Sequence, residues 1–282
     1  MKNNLIIYGV LAFFIFFTGC KKDSTDKPDG LKFEDLTNLK YGDHASQSLD
    51  IYLPENRSGK TKMIVFVHGG FWIGGDKAEF TELAKSFRDK GYASASINYR
   101  LLNTAENNIH PAQINDLAKA LSFLQSKTEE WSISKSEVAL IGASAGGHIA
   151  LLYTYAYDTG NYVKTVVSLA GPTDLSDLRN ASPQQSLVLQ SFLGASPQTN
   201  PAIYRQASPI THVSAGSKPT LIFHGKLDVV VPYQQSVNLK AKLDQFSVKN
   251  KLVLYDNLGH EVNLNAIPGF IVELESWLSA NL

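Results

Sequence analysis

Residues 137–152 read Glu137-Val138-Ala139-Leu140-Ile141-Gly142-Ala143-Ser144-Ala145-Gly146-Gly147-His148-Ile149-Ala150-Leu151-Leu152. The run from Val138 to Ile141 has the length and apolar character of a buried strand, and the pattern after Gly146 suits a buried helix. Glycine at 142 and 146 leaves room for a sharp turn between the two, because a Cβ at either place would strike the neighbouring backbone. Ser144, at the apex, is then held in a strained conformation with its hydroxyl projecting. The helix that follows aims its positive N-terminal end, and the N–H of Ala145, at whatever oxygen approaches Ser144. The same letters also fit a plain glycine-rich turn with a serine N-cap, so the flanking chain has to decide.

Working outward, residues 63–67 form another continuous apolar run, typical of a central parallel strand, and lead straight into His68-Gly69-Gly70-Phe71-Trp72-Ile73-Gly74-Gly75-Asp76. Backbone N–H groups freed by glycines after a strand can point at a single oxygen. Residues 36–41 and 48–53 read as two strands joined by a turn. A helix is expected over 77–90, stopped by Gly91, then a strand over 92–98. Residues 111–127 make an amphipathic helix with Ile114, Leu117, Leu121 and Leu124 on one stripe. A strand over 164–170, one ending at His224-Gly225, a helix over 234–246, a strand over 251–255 and a helix over 269–278 complete an alternation that predicts an α/β fold with a mostly parallel central sheet.

Two further stretches bring chemistry to that frame. In Pro219-Thr220-Leu221-Ile222-Phe223-His224-Gly225-Lys226-Leu227-Asp228-Val229-Val230-Val231-Pro232 a buried strand ends and a turn carries Asp228 away from the sheet edge. His260, in Asn257-Leu258-Gly259-His260, sits in a loop between the last strand and the last helix. The segment Gly142-x-Ser144-x-Gly146 resembles the nucleophile elbow of the α/β-hydrolases, and His224-Gly225-x-x-Asp228-x-x-Val231-Pro232 is similar to the segment that supplies their acid. The 68–76 stretch resembles the oxyanion loop of hormone-sensitive-lipase-like esterases. Phe71 stands where the third glycine is usual, as in the acetylxylan and feruloyl esterase relatives and the arylformamidases.

That resemblance spans roughly residues 35–280 and implies an α/β-hydrolase fold with helices on both faces of the sheet. It implies a serine carboxylesterase with Ser144, Asp228 and His260 as catalytic triad, in the chain order this fold uses. Gly70, Phe71 and Ala145 become the oxyanion hole. The substrates implied are short-acyl, acetyl or feruloyl esters of carbohydrates or small alcohols. An amidase or peptidase running the same machinery, and a non-catalytic surface binding protein of the same fold, stay open as alternatives.

Residues 175–212 break the rhythm: they are rich in Ser, Pro, Gln and Ala, with a helical piece over 184–193. Such an insertion either lies over the site as a small cap or is a plain connecting excursion. As a cap it would shape a substrate pocket through Leu178, Leu187, Phe192 and Tyr204, beside Trp72. His68 is expected to brace its loop, and Tyr99-Arg100-Leu101, which matches a YRL of the same esterase group, to be structural. His44, His110, His148, His212 and His224 show no ligand spacing, so neither a metal nor any other cofactor is expected.

Composition sets the outer limits. The chain has 282 residues, enough for one catalytic domain, and 26 basic residues balance 26 acidic ones, which argues against a nucleic-acid surface. A single cysteine, Cys20, excludes an intramolecular disulfide and a cysteine metal cage. Residues 1–19 read as a signal segment, with Lys2 ahead of an apolar run over 5–17 too short for a comfortable membrane span. The sequence Phe17-Thr18-Gly19-Cys20 resembles the lipobox of bacterial lipoproteins, with Phe17 in place of the usual Leu. It implies lipidation at Cys20, a membrane anchor and a place in the bacterial cell envelope; an ordinary N-terminal anchor with an incidental cysteine is the alternative. Residues 20–32 then form the tether, whose polar stretch 21–30 reaches about 30–35 Å when fully extended, and 33–282 the catalytic domain.

Overall fold

Eight strands form one sheet in the order β1-β2-β4-β3-β5-β6-β7-β8. The computed structural model describes residues 30–177, 182–260 and 269–282; the signal segment, Cys20 and Leu178 lie outside the described residues. The strands are β1 (Glu34–Lys40), β2 (Ser48–Leu53), β3 (Met63–Val67), β4 (Ala93–Ile97), β5 (Val138–Ala143), β6 (Val163–Leu169), β7 (Thr220–Gly225) and β8 (Asn250–Tyr255). Only the pairings β1–β2 and β2–β4 are antiparallel; the five others are parallel. This is the expected α/β-hydrolase architecture.

The two middle strands, β3 and β5, are apolar throughout because both faces are covered, and alternate residues enter different cores. Val65 and Val67 of β3, and Leu140 of β5, pack with Ile114, Leu117 and Leu121 of α2 (Ala112–Ser126) and Ile149 of α3 (Ala145–Leu152). Leu239 and Leu243 of α6 (Gln234–Gln245) join the same core. Ile64, Phe66, Ala139 and Ile141 face the other way, onto Leu83 and Phe87 of α1 (Thr81–Asp89) and Phe270, Leu274 and Trp277 of α7 (Phe270–Asn281). Register then fixes where the loops emerge. Val67 pairs with Gly142, Gly142 with Ser168, and Gly225 with Tyr255, so the loops after β3, β5, β7 and β8 leave one edge of the sheet.

Local departures from the sequence reading have physical causes. The helix expected over 77–90 is a 3₁₀ turn, Lys77–Phe80, followed by α1; Asp76 caps the turn, with Glu79 closing a capping box. Past α3 the chain runs as one π-helical turn, Tyr153–Tyr157. In the 175–212 insertion the structure describes α4 (Pro183–Leu193), α5 (Pro201–Gln206) and a 3₁₀ turn, Pro209–His212. Leu189, Phe192, Leu193 and Tyr204 from this segment are buried in the same core as α2 and α3. Among the described residues no helix is long and apolar enough to cross a membrane.

Two histidines in that core are held uncharged by burial. His148, fully buried on α3, is pushed down to about 3, and His110 to about 4. The unfolded chain takes up these protons near the ordinary histidine value of about 6.5, so below that pH it binds more protons than the folded one. Stability therefore falls as pH drops from about 6.5 towards the folded values, by up to about 1.4 kcal/mol per pH unit for each group. Urea midpoints measured between pH 7 and 4.5 are expected to show this fall, and His148→Met to make it shallower by one group's share.

Candidate active site

The elbow is built by what its glycines do not carry. A Cβ on Gly146 would overlap the carbonyl oxygens of Val67 and His68, and one on Gly142 would overlap the carbonyl of Gly146. Their absence lets the first turn of α3 lie against the ends of β3 and β5. Ser144 takes φ 49° and ψ −118°, a conformation costing an L-residue about 1–3 kcal/mol. It is held there by its N–H donating to Leu169 O at 2.8 Å and by His148 N–H donating to Ser144 O at 3.0 Å. Its side chain makes no capping bond, so the hydroxyl stays available at the N-terminus of α3. Ala145 is the first residue of that helix.

The loop after β3 is braced from several sides. Gly70, Phe71 and Trp72 all have positive φ, at 101°, 52° and 61°. Gly70 O accepts from the N–H groups of Ile73 and Gly74 at 3.0 and 2.9 Å. The buried His68 ring stacks on Tyr99 at 4.3 Å, and its Nδ1 bonds Gly69 O at 2.8 Å. The Tyr99 hydroxyl donates to the carbonyls of His68 and Gly69, and Leu102 N–H donates to Trp72 O. Arg100 is fixed in turn by the fully buried carboxylate of Asp116 at 2.7 Å. These bonds give His68 and the 99–101 stretch the bracing part foreseen for them.

Asp228 and His260 meet Ser144 across the sheet edge. His260 Nδ1 lies 2.7 Å from Asp228 Oδ2, and its Nε2 lies 2.9 Å from Ser144 Oγ. A carboxylate only accepts, so Nδ1 carries the proton and Nε2 is left to accept the serine O–H. The Asp228 side chain is fully buried. Burial alone would raise its carboxyl. The imidazole N–H groups of His224 and His260 and the N–H of Val231 outweigh that and hold it well below the usual carboxylate range. Chemically, the arrangement can take a proton from a hydroxyl and stabilise the imidazolium that results.

A cavity of about 550 Å³ opens beside Ser144 and His260, with Gly70 and Phe71 in its lining. Its wall is largely apolar, from Phe80, Leu83, Phe223, Tyr255, Leu258 and Phe270. The expectation that Phe192 and Tyr204 line a pocket is corrected here. Phe192 is 0% exposed and stacks on Trp72 at 4.3 Å, and Tyr204 is 1% exposed with its hydroxyl on Ala195 O. Both are core. Leu187 is 64% exposed and lines neither cavity, while Trp72, Leu189 and Val230 line a smaller one of about 90 Å³ that shares Phe71 with the first. His224, read from the sequence only as a strand end, lies on Asp228 at 3.0 Å. Its place in the motif four residues before Asp228 was the available signal.

Similarity to known proteins follows the same frame. The sequence model of the family described as BD-FAE matches residues 49–243. The probable isoprenylcysteine alpha-carbonyl methylesterase ICMEL1 of Arabidopsis thaliana is 27% identical over 241 residues, covering 79% of this chain and 50% of that protein. The probable carboxylic ester hydrolase LipM of Mycobacterium tuberculosis is 28% identical over 226 residues, covering 74% and 52%. The chain thus spans about half the length of the curated relatives it matches. A truncated form of a carbohydrate esterase from gut microbiota superposes with a TM-score of 0.76 at 26% identity, covering 89% of this chain and 97% of that one. Esterase B from Lactobacillus rhamnosis shares the fold, with a TM-score of 0.73 at 22% identity over 88% of this chain and 85% of that one.

The elbow geometry makes a direct stability prediction. Gly146→Ala forces a methyl group onto two backbone carbonyls that cannot swing aside, and is expected to lose about 2–3 kcal/mol in urea denaturation. Gly59→Ala, where nothing lies within 4 Å of the added methyl, is expected to be neutral.

Proposed function

Because the chain belongs to the BD-FAE family, with 49–243 matched, we propose that it is a carboxylic-ester hydrolase acting through Ser144, His260 and Asp228. One observation carries the reading: the unbroken chain of bonds from Ser144 Oγ through His260 to Asp228, at 2.9 and 2.7 Å. His260 takes the serine proton as Oγ attacks the ester carbonyl, since a neutral hydroxyl is otherwise a feeble nucleophile. Asp228 keeps the imidazole in the required tautomer and stabilises it once charged. The N–H groups of Ala145, Gly70 and Phe71 hold the oxyanion; loss of one such donor costs roughly 10²–10³ in rate. The tetrahedral adduct collapses to an acyl-serine, the alcohol leaves with the proton from His260, and water repeats the sequence to release the acid. No cofactor enters this sequence.

The substrate reading rests on the cavity and on the company the chain keeps. About 550 Å³ with a wall of phenylalanine, leucine and tyrosine accommodates an acyl group as large as a feruloyl or as small as an acetyl group. Similarity to a carbohydrate esterase favours a sugar as the alcohol. We assign the chain to acetyl or feruloyl esters of carbohydrate fragments. We further propose that Cys20 carries lipid and tethers the protein to the cell envelope, a reading supported by Phe17-Thr18-Gly19-Cys20 alone.

Ser144→Ala is expected to abolish turnover of nitrophenyl acetate and methyl ferulate, a fall of at least roughly 10³-fold, with the thermal midpoint retained. It should also abolish labelling by a fluorophosphonate. Turnover undiminished in that variant removes the assigned nucleophile. A panel of acetylated xylo-oligosaccharides, feruloylated sugars and an amide analogue should rank both sugar esters above the amide. For the anchor, radiolabelled palmitate is expected to enter the full chain in a bacterial host and to be lost in Cys20→Ala.

A further inference from the structure

His224 lies outside the proton path just described, yet it is the most tightly held histidine in the site. Its side chain is fully buried, as is that of Asp228. Its Nε2 faces two acceptors, Asp228 Oδ2 at 3.0 Å and Val231 O at 2.9 Å, so Nε2 carries a proton. Its Nδ1 lies 2.6 Å from Ser236 Oγ on α6, whose hydroxyl donates to it and keeps the ring in that tautomer. The oxygen that His224 touches is the one that accepts from His260 Nδ1. The other, Oδ1, accepts the N–H groups of Val230 and Val231, both at 2.8 Å. Four donors thus fill one buried carboxylate, two on each oxygen.

We propose that His224 is a positioning residue: locked by Ser236, it clamps Oδ2 of Asp228 so that one lone pair of that oxygen is aimed at His260 Nδ1. This rests on the reading of Ser144, His260 and Asp228 as the acyl-transfer set, and adds to it the residue that fixes the acid. The motif His224-Gly225-x-x-Asp228-x-x-Val231-Pro232 then acts as one unit. His224 bonds one carboxylate oxygen and Val231 N–H the other, while Val231 O accepts from His224. Gly225 leaves room for the backbone of Leu258 and Gly259 that delivers His260.

The clamp has a second consequence. Two N–H groups on one oxygen share its negative charge, so each feels less of it than it would alone. Among the described residues, the titratable side chains that touch Asp228 are His224 and His260; Ser236 of α6 adds only a hydroxyl, and the 229–231 turn only backbone. Removing His224 leaves more charge facing the imidazolium of His260, which favours the protonated form. The acid limb of the rate profile then moves to higher pH.

The test uses the full chain with His224→Leu, His224→Gln and Ser236→Ala, and Ser144→Ala as background. His224→Leu is expected to lower kcat roughly 10- to 100-fold, as loss of an outer partner of a working histidine does, with KM within about twofold. Its acid limb should move upward, and His224→Gln, which keeps a side-chain N–H, should recover most of both. Without any substrate, the downfield proton resonance of His260 Nδ1–H, identified by its loss in His260→Ala, should shift in His224→Leu. A folded His224→Leu with kcat, acid limb and resonance all at their wild-type positions overturns the proposal. Activity that falls only with the folded fraction, limb and resonance unmoved, overturns it too. If His224→Leu does not fold, Ser236→Ala decides: the same shifts in smaller measure support the clamp, and wild-type values reject it. A wild type that turns over no ester refutes the esterase reading, while the resonance still judges the clamp.

Discussion

The molecule depends on one close approach: the first turn of α3 lying against the last carbonyls of β3. That contact exists only because position 146 carries no side chain. It sets the hydroxyl of Ser144 and the loop 68–75 at a fixed spacing, since both leave strands whose ends are level in register. A reactive hydroxyl and the amides that would stabilise its product need that spacing held to a fraction of an ångström. Here backbone holds it against backbone, with no flexible side chain between. The strained torsions at Ser144, Phe71 and Trp72 are tolerable because sheet, helix and loop over-determine them.

Against this rigid half stands a polar one. Asp228 is a charge without water, and removing a carboxylate from solvent is costly unless its lone pairs are filled. The protein fills them from within one turn and one strand end, with His260 as the one donor from elsewhere. His260 is therefore placed by the carboxylate's remaining need for a partner as much as by its own loop. The histidines of the core solve the opposite problem. His148 and His110 are buried away from any carboxylate partner and stay neutral, whereas those around Asp228 are arranged on a negative charge.

Much of this was legible in the sequence. The apolar runs at 63–67 and 138–141 read as doubly buried strands because nothing polar interrupts them, and the structure buries every residue of β3. Ser144, Asp228 and His260 were readable because each follows a strand, and chain order with strand-end position is what a one-dimensional pattern retains. The pocket role expected of Phe192 and Tyr204 failed for a physical reason. Phe192 and Tyr204 look like pocket residues on short helices of a polar segment, but their burial is decided by partners far away in sequence, such as Trp72 under Phe192. His224 escaped because its spacing of four from Asp228 was the one signal it carried, and that spacing places the two side chains together only once the turn between them is seen to curl back. The Lys77–Asp50 pair, buried between the start of the 3₁₀ turn and β2, was invisible for the same reason.

The insertion is joined to the elbow by more than packing. His148, one turn past Ser144, donates from Nε2 to Ala207 O at 2.8 Å, at the end of α5, and sits edge-on to both Trp72 and Phe192. A natural relative with a different insertion must therefore have settled position 148 differently, or left an imidazole stranded. For anyone exchanging this segment between homologues to alter selectivity, the unit of exchange is not residues 175–212 alone. Positions 72, 148 and 110, whose N–H donates to Phe192 O, have to travel with it, and a chimera that leaves them behind inherits a hole under Ser144 rather than a new specificity.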